Sequence, residues 1–407
     1  MELIAKSMFK HSRSSILYLF SKMFERMSYY GLRTLIILYM ISETIGMDRT
    51  EAIRVYGIFI GLFLFGHIVG GLLGDLLIGN QKSIVLGAAI QAIGTFLVCI
   101  PSELGLYLGL GLIVLGNGFF SPNLTAQFGK TYLSKRKLLD AGFTVFYVVI
   151  NLGAFLGILF LGLIGEEFGY PVGFIFAGCF MLVALAFSLL NNKFNFQLEN
   201  SKKLDYSNFK YPLYIFGGII LSAFFWGVFE FTSYSIYEIN QSYIQHNNQV
   251  LSSWLWNSLS SYIAIAVGIT FCFVWSYIYN SSFLKIALGF FFGVVSLLLL
   301  VFIPEANSPF LFLIIVTSML SLGLAELFIA PIVYSIITKY TNPKYLAIVI
   351  SLILIPTKIL NYIFTLFFDE IMYKNDSLSL IIGVIVFAFF ALTMLIALIL
   401  KKKKLLL

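Results

Sequence analysis

Charge is scarce in this chain: only 11% of its 407 residues are Asp, Glu, Lys or Arg. A soluble domain needs far more charge to cover its surface. Cysteine is scarcer still. Cys99, Cys179 and Cys272 each stand alone in an apolar stretch, which rules out a disulfide framework or a thiolate metal site. Histidine is limited to His11, His67 and His246, too scattered to ligate a metal. With no nucleophile elbow either, little is left for a hydrolase, and the chain is not read as an enzyme. Acidic residues are fewer than basic ones, 19 against 26, for a net charge of +7. The basic residues sit in short loops between apolar segments, a pattern of membrane topology and not of nucleic-acid binding. The N-terminus is basic but lacks an apolar run ending in a small-residue cleavage site, so the first helix is expected to be retained.

Long apolar runs are abundant. Hydrophobic residues make up 60% of the chain, and the mean hydropathy is +0.95. Segments about as long as a bilayer is thick recur at 15–41, 53–78, 82–100, 105–128, 140–164, 172–192, 212–238, 254–279, 284–303, 309–337, 345–369 and 378–400. The expected fold is thus all-α and polytopic, with 12 transmembrane helices. The longest polar break, Asn191 to Tyr211, divides them into two six-helix bundles. The expected domains are 1–192, a cytoplasmic linker 193–211, and 212–407. With both termini cytoplasmic, nineteen Lys and Arg fall inside (Lys401 to Lys404 among them) and three outside (Arg49, Arg54 and Lys374). An odd number of spans would destroy that asymmetry.

The informative residues are the polar ones within the apolar runs. In the first helix stand Lys22-Met-Phe-Glu25-Arg26-Met-Ser-Tyr29-Tyr30-Gly31-Leu-Arg33. At 100° per residue, Lys22, Arg26, Tyr29 and Arg33 fall within about 60° of one another, with Glu25 and Tyr30 flanking. A charge at bilayer depth costs several kcal/mol unless it meets water or a partner, so the stripe is expected to line a polar pathway. The second helix ends in Gly70-Gly71-Leu-Leu-Gly74-Asp75, where small residues admit a neighbour and Asp75 can cap or pair at nearby helix ends. His67, in the same Gly-rich part, is open to two readings, a packing residue or a proton-responsive group. Pro122 opens a carbonyl in helix four, and Asn151 brings an amide into helix five, either as interhelical glue or as a substrate contact. The second half carries Glu230 in helix seven, Glu326 in helix ten and Lys358 in helix eleven. Their pairing is expected, as gates or as a structural network.

Together these motifs resemble the proton-dependent oligopeptide transporter (POT) family of the major facilitator superfamily. Glu25-Arg26-Met27-Ser28-Tyr29-Tyr30-Gly31 is similar to its first-helix signature. Phe143-Thr144-Val-Phe146-Tyr147-Val-Val-Ile150-Asn151-Leu152-Gly153 is similar to its fifth. Phe225-Trp226 through Glu230 and Glu326 through Pro331 are similar to its seventh- and tenth-helix patterns. Many bacterial members insert two further helices between the halves, for which this linker is too short. The resemblance implies a major facilitator fold in the inner membrane and import of di- and tripeptides by alternating access. It implies no cofactor, with protons as the coupling ion, and small peptides and membrane lipids as the partners of a monomer. Arg26 would hold the peptide carboxylate and Glu326 its amino group. Tyr29, Tyr30 and Asn151 would contact the rest, and Trp226 and Lys358 would complete the substrate set. Arg33 and Glu230 would form a proton-sensitive gating pair, with Glu25 a further candidate proton carrier.

Three departures from the family pattern bear on mechanism. The first signature glutamate is Lys22 here, the helix-four lysine is Ser121, and helix eleven carries Lys358 in place of a small or polar residue. A positive charge has in effect moved from helix four to helix one, and Lys22 is expected to take over the carboxylate-facing role. The lost glutamate leaves three alternatives open: a facilitator without proton coupling, a carrier of a different small zwitterion or anion, and a receptor on the same scaffold.

Overall fold

The computed structural model describes residues 12–192, 210–247, 259–277, 281–303, 310–372 and 377–406, and every regular element among them is helical. The first six long helices are α1 (Arg13–Ile41), α2 (Arg49–Leu73), α3 (Asn80–Val98), α4 (Glu103–Lys130), α5 (Leu139–Phe168) and α6 (Tyr170–Asn192). They are followed by α7 (Lys210–Asn247), α8 (Leu259–Tyr277), α9 (Ser282–Val301) and α10 (Leu311–Tyr340). The last are α11 (Leu346–Leu352), α12 (Leu354–Met372) and α13 (Leu378–Leu406). Ten segments are long and apolar enough to cross a membrane. Twelve were expected; the charged α1 (29 residues) and the shorter α8 (19 residues) are helical but stand outside those ten.

Boundaries differ where local chemistry intervenes. Helix two closes with a single π-turn, Gly74–Ile78, and stops at Gly79, whose φ of 88° suits a residue without Cβ. Helix seven runs well past the expected 238, to Asn247. The eleventh span, Pro343–Phe364, is broken at Ile353 into α11 and α12. Pro356 explains the break, because it has no N–H to donate to the carbonyl four residues earlier, at Leu352. Pro122 and Pro331, by contrast, lie inside continuous helices. The linker calls at 193–209, with Lys193, Lys202 and Lys203, lie outside the described residues, as do Lys6, Lys10 and Lys374.

The chain groups into two compact units. One comprises Met1–Gly142, Val149–Tyr211 and Ile337–Leu352; the other comprises Phe143–Val148, Pro212–Ile336 and Ile353–Leu407. In the first, α2 and α4 approach until backbone meets backbone: a Cβ on Gly70 would lie 2.0 Å from the Gly118 carbonyl oxygen. Asp75, carried by the π-turn, accepts the Ile348 backbone N–H at 2.8 Å through Oδ2, satisfying a free donor at the start of α11 as the sequence suggested. Its Oδ1 accepts from Asn80 at 2.8 Å, and Asn80 in turn accepts Lys130 Nζ at 2.6 Å. The core of the second unit is aromatic. Phe225 stacks on Phe387 at 5.6 Å, and Phe290 lies against both rings.

Candidate substrate and coupling site

In the first unit Glu25 is the hub. Its carboxylate is fully buried and accepts four donors. Arg26 gives Nε to Oε2 and a terminal nitrogen to Oε1, each at 2.7 Å; Lys22 Nζ lies 3.1 Å from Oε2; Asn117 Nδ2 lies 2.7 Å from Oε1. Lys22 is only 3% exposed and Arg26 14%. Neighbouring residues on a helix do not face one another, so Arg26 reaches Glu25 by folding its long side chain back. That buried cations share a carboxylate is what the cost of an unpaired charge in this setting requires. Lys22 also donates to Ser121 Oγ at 2.8 Å, and its ammonium lies 5.7 Å from the Phe120 ring centre. The lysine of helix one thus touches the very residue that stands where the family carries its helix-four lysine.

Asn117 extends the network. Its Oδ1 faces His67 Nε2 at 2.9 Å, and its amide also approaches Gln91 Oε1 at 3.4 Å. Along α1 the tyrosine pair Tyr29 and Tyr30 separates two guanidiniums. Arg26 sits 5.0 and 5.8 Å from the two ring centres, and Arg33 5.6 and 5.7 Å. Arg33 Nε donates to the Tyr56 hydroxyl on α2 at 2.9 Å. Asn151 is half-buried in the α5 part of this unit.

The second unit contains two separate acidic positions. Glu230 accepts Lys358 Nζ at 2.7 Å and Asn361 Nδ2 at 3.0 Å, so it is paired inside its own unit. Lys358, expected among the substrate contacts, is thereby joined to the gating residue. The pair is 50% exposed on the lysine side and 32% on the glutamate side. Charges so exposed need water and not hydrocarbon around them, whereas in the α1 stripe expected to line a polar pathway Lys22 and Glu25 are buried on each other. Glu326 on α10 accepts a hydrogen bond from the Tyr147 hydroxyl. Trp226 packs edge-on against Phe225 and Phe229, at 5.4 and 5.2 Å.

Four polar partners had been given no role from the sequence. Tyr147 falls in the quoted fifth-helix stretch, but nothing in a single chain says that it reaches Glu326 or that Asn117 reaches Glu25. Tyr56 and Asn361 look like ordinary helix residues until the packing places them beside Arg33 and Glu230.

Residues 81–217 match the model of the POT family. A transporter of Bacillus subtilis named YclF is 32% identical over 201 residues, 48% of this chain and 41% of its own length. Dipeptide and tripeptide permease A of Proteus mirabilis is 35% identical over 181 residues, 44% of this chain and 37% of its own length. The matched stretches thus span about two fifths of these relatives. A crystal structure of a POT family transporter in complex with a thioalcohol-conjugated peptide superposes with a TM-score of 0.69 at 19% identity, covering 97% of both chains. A POT family transporter with 5-aminolevulinic acid gives 0.66 at 20% identity, again over 97% of both. Residues 81–217 thus match the POT family model, the chain shares the fold of these solved POT transporters, and ten of the described helices are long and apolar enough to cross a membrane.

Proposed function

We propose that this protein is a secondary carrier importing di- and tripeptides by alternating access, with protons as the coupling ion and no cofactor, acting as a monomer in the lipid bilayer. The observation that carries the reading is the division of charge over a POT fold: surplus cations, Lys22 and Arg26, gathered on one buried carboxylate in the first unit, and the isolated Glu326 with its tyrosine in the second. A peptide zwitterion offers the complementary pair, a carboxylate for Arg26 and an ammonium for Glu326. Each is a charge-assisted contact of the strong kind. Lys22 serves the carboxylate side in place of the family's helix-four lysine, a role supported by its bond to Ser121. Tyr29, Tyr30, Asn151 and Trp226 supply contacts to the rest of the peptide.

A second reading has its own support. Glu25 already has four donors, and Glu230 is held by Lys358 and Asn361. A chain whose candidate proton carriers are so fully engaged is suited to equilibrate peptides without protons. Uptake of labelled di-alanine into liposomes, with and without an inward proton gradient, decides between them. Accumulation above the outside concentration only with the gradient establishes coupling. Uptake that stops at equilibrium and ignores the gradient establishes a facilitator, and no uptake rejects peptide transport.

A further inference from the structure

The stripe Lys22–Arg33 of α1 holds three cations, Lys22, Arg26 and Arg33, and one carboxylate, Glu25. Lys22 and Arg26 rest on Glu25. Arg33, two turns further along, does not. Among the described residues its neighbours are the Tyr56 hydroxyl, 2.9 Å from Nε, and the rings of Tyr29, Tyr30 and Tyr56, 5.6 to 5.8 Å from the guanidinium carbon. Aromatic faces orient a guanidinium and offset part of its desolvation, but they do not neutralise it. With Nε occupied, the two terminal nitrogens of Arg33 remain as the planar fork that takes an oxyanion through two hydrogen bonds. The side chain is half-buried and not sealed.

Spacing adds a constraint. Arg26 and Arg33 both flank the same tyrosine pair, each within 6 Å of both ring centres, so the guanidiniums lie no more than about 11 Å apart. The two carboxylate carbons of a C-terminal glutamate lie about 5 Å apart. Each guanidinium–carboxylate contact adds about 4 Å, so one residue reaches both arginines.

Resting on the peptide reading above, we propose that Arg33, in its setting of Tyr29, Tyr30 and Tyr56, takes a second, side-chain carboxylate, and that the substrates of choice are acidic peptides. A neutral peptide leaves the Arg33 fork unanswered, and a basic one adds a like charge beside a stripe, Lys22–Arg33, that already has two cations in excess.

The test is uptake of labelled Ala-Glu, Ala-Gln and Ala-Lys by the full-length protein in liposomes held at zero membrane potential, so that net peptide charge does not itself bias entry. The expected result is Ala-Glu ahead of Ala-Gln by about tenfold or more, with Ala-Lys last. The Ala-Glu to Ala-Gln ratio should collapse towards one in Arg33→Gln and fall to an intermediate value in Arg33→Lys, which keeps the charge but not the two-bond fork, whatever the absolute rates. If Arg33→Gln does not fold, the wild-type order and Arg33→Lys still decide the matter. Equal uptake of all three peptides, or Ala-Lys first, overturns this inference and leaves peptide transport standing. Uptake of none overturns both.

Discussion

The two units handle intramembrane charge in opposite ways. In the first, Glu25 is sealed from solvent and its oxygens are shared among Lys22, Arg26 and Asn117, so each group is fixed by several others. In the second, Glu230 and Lys358 make a half-exposed pair, and Glu326 is joined to Tyr147. A buried, multiply bonded cluster is costly to break, because any loss strands a charge in a medium that cannot solvate it. A wet pair is worth little to stability and is easily remade. The difference gives the first unit a charge cluster held by several mutual bonds and the second a pair that is easily remade.

That contrast is breakable by mutation. The largest effect is expected at Glu25. Glu25→Ala strands Lys22 and Arg26 together and should cost about 3–5 kcal/mol, read as a fall in thermal stability in detergent. Lys22→Met should cost clearly less, since Arg26 still answers the carboxylate; equal losses would refute the shared-hub description. Next comes Gly70→Ala, whose methyl would meet the Gly118 carbonyl with backbone on both sides. Forcing α2 from α4 should cost about 1–3 kcal/mol. Tyr147→Phe removes the donor to Glu326 and leaves its charge less well held, so peptide uptake should fall about tenfold with modest change in stability. Lys358→Ala should change stability by less than about 1 kcal/mol, as suits a half-exposed pair. Loss of stability as large as that at Glu25 would erase the distinction between the units.

The smallest effect lies outside the membrane. Asp48 caps α2 by accepting the Thr50 N–H at 2.9 Å, and that bond holds its carboxyl below the usual carboxylate range. Because the folded value is the depressed one, its contribution is present above the ordinary carboxylate pKa and fades as pH falls through the folded value. Asp48→Ala should therefore lower stability slightly at neutral pH and leave it unchanged at low pH.

Much of this was legible in the residues. Hydropathy picks out the spans because the signal is local and additive along the chain, and ten of the twelve expected are described helices long and apolar enough to cross a membrane. The stripe from Lys22 to Arg33 was visible because helical periodicity places side chains without any tertiary information. Partner choice was not visible. Pairing among the second-half charges is expected from the sequence, but that Glu230 takes Lys358, with Asn361 three positions along the same helix as a further donor, depends on packing. The bond from Lys22 to Ser121 was anticipated as a relocated charge, but its 2.8 Å geometry depends on how α1 and α4 pack. The break at Ile353 was hidden because Pro356 disrupts a helix while Pro122 and Pro331 do not, and neighbours decide which.

The central claim is that Lys22 supplies the cation the family keeps at the position of Ser121. Labelled di-alanine uptake should be measured for wild type, Lys22→Ala, and Lys22→Ala combined with Ser121→Lys. Loss in the single variant with recovery in the double variant is the predicted result. Unimpaired uptake by Lys22→Ala would contradict it.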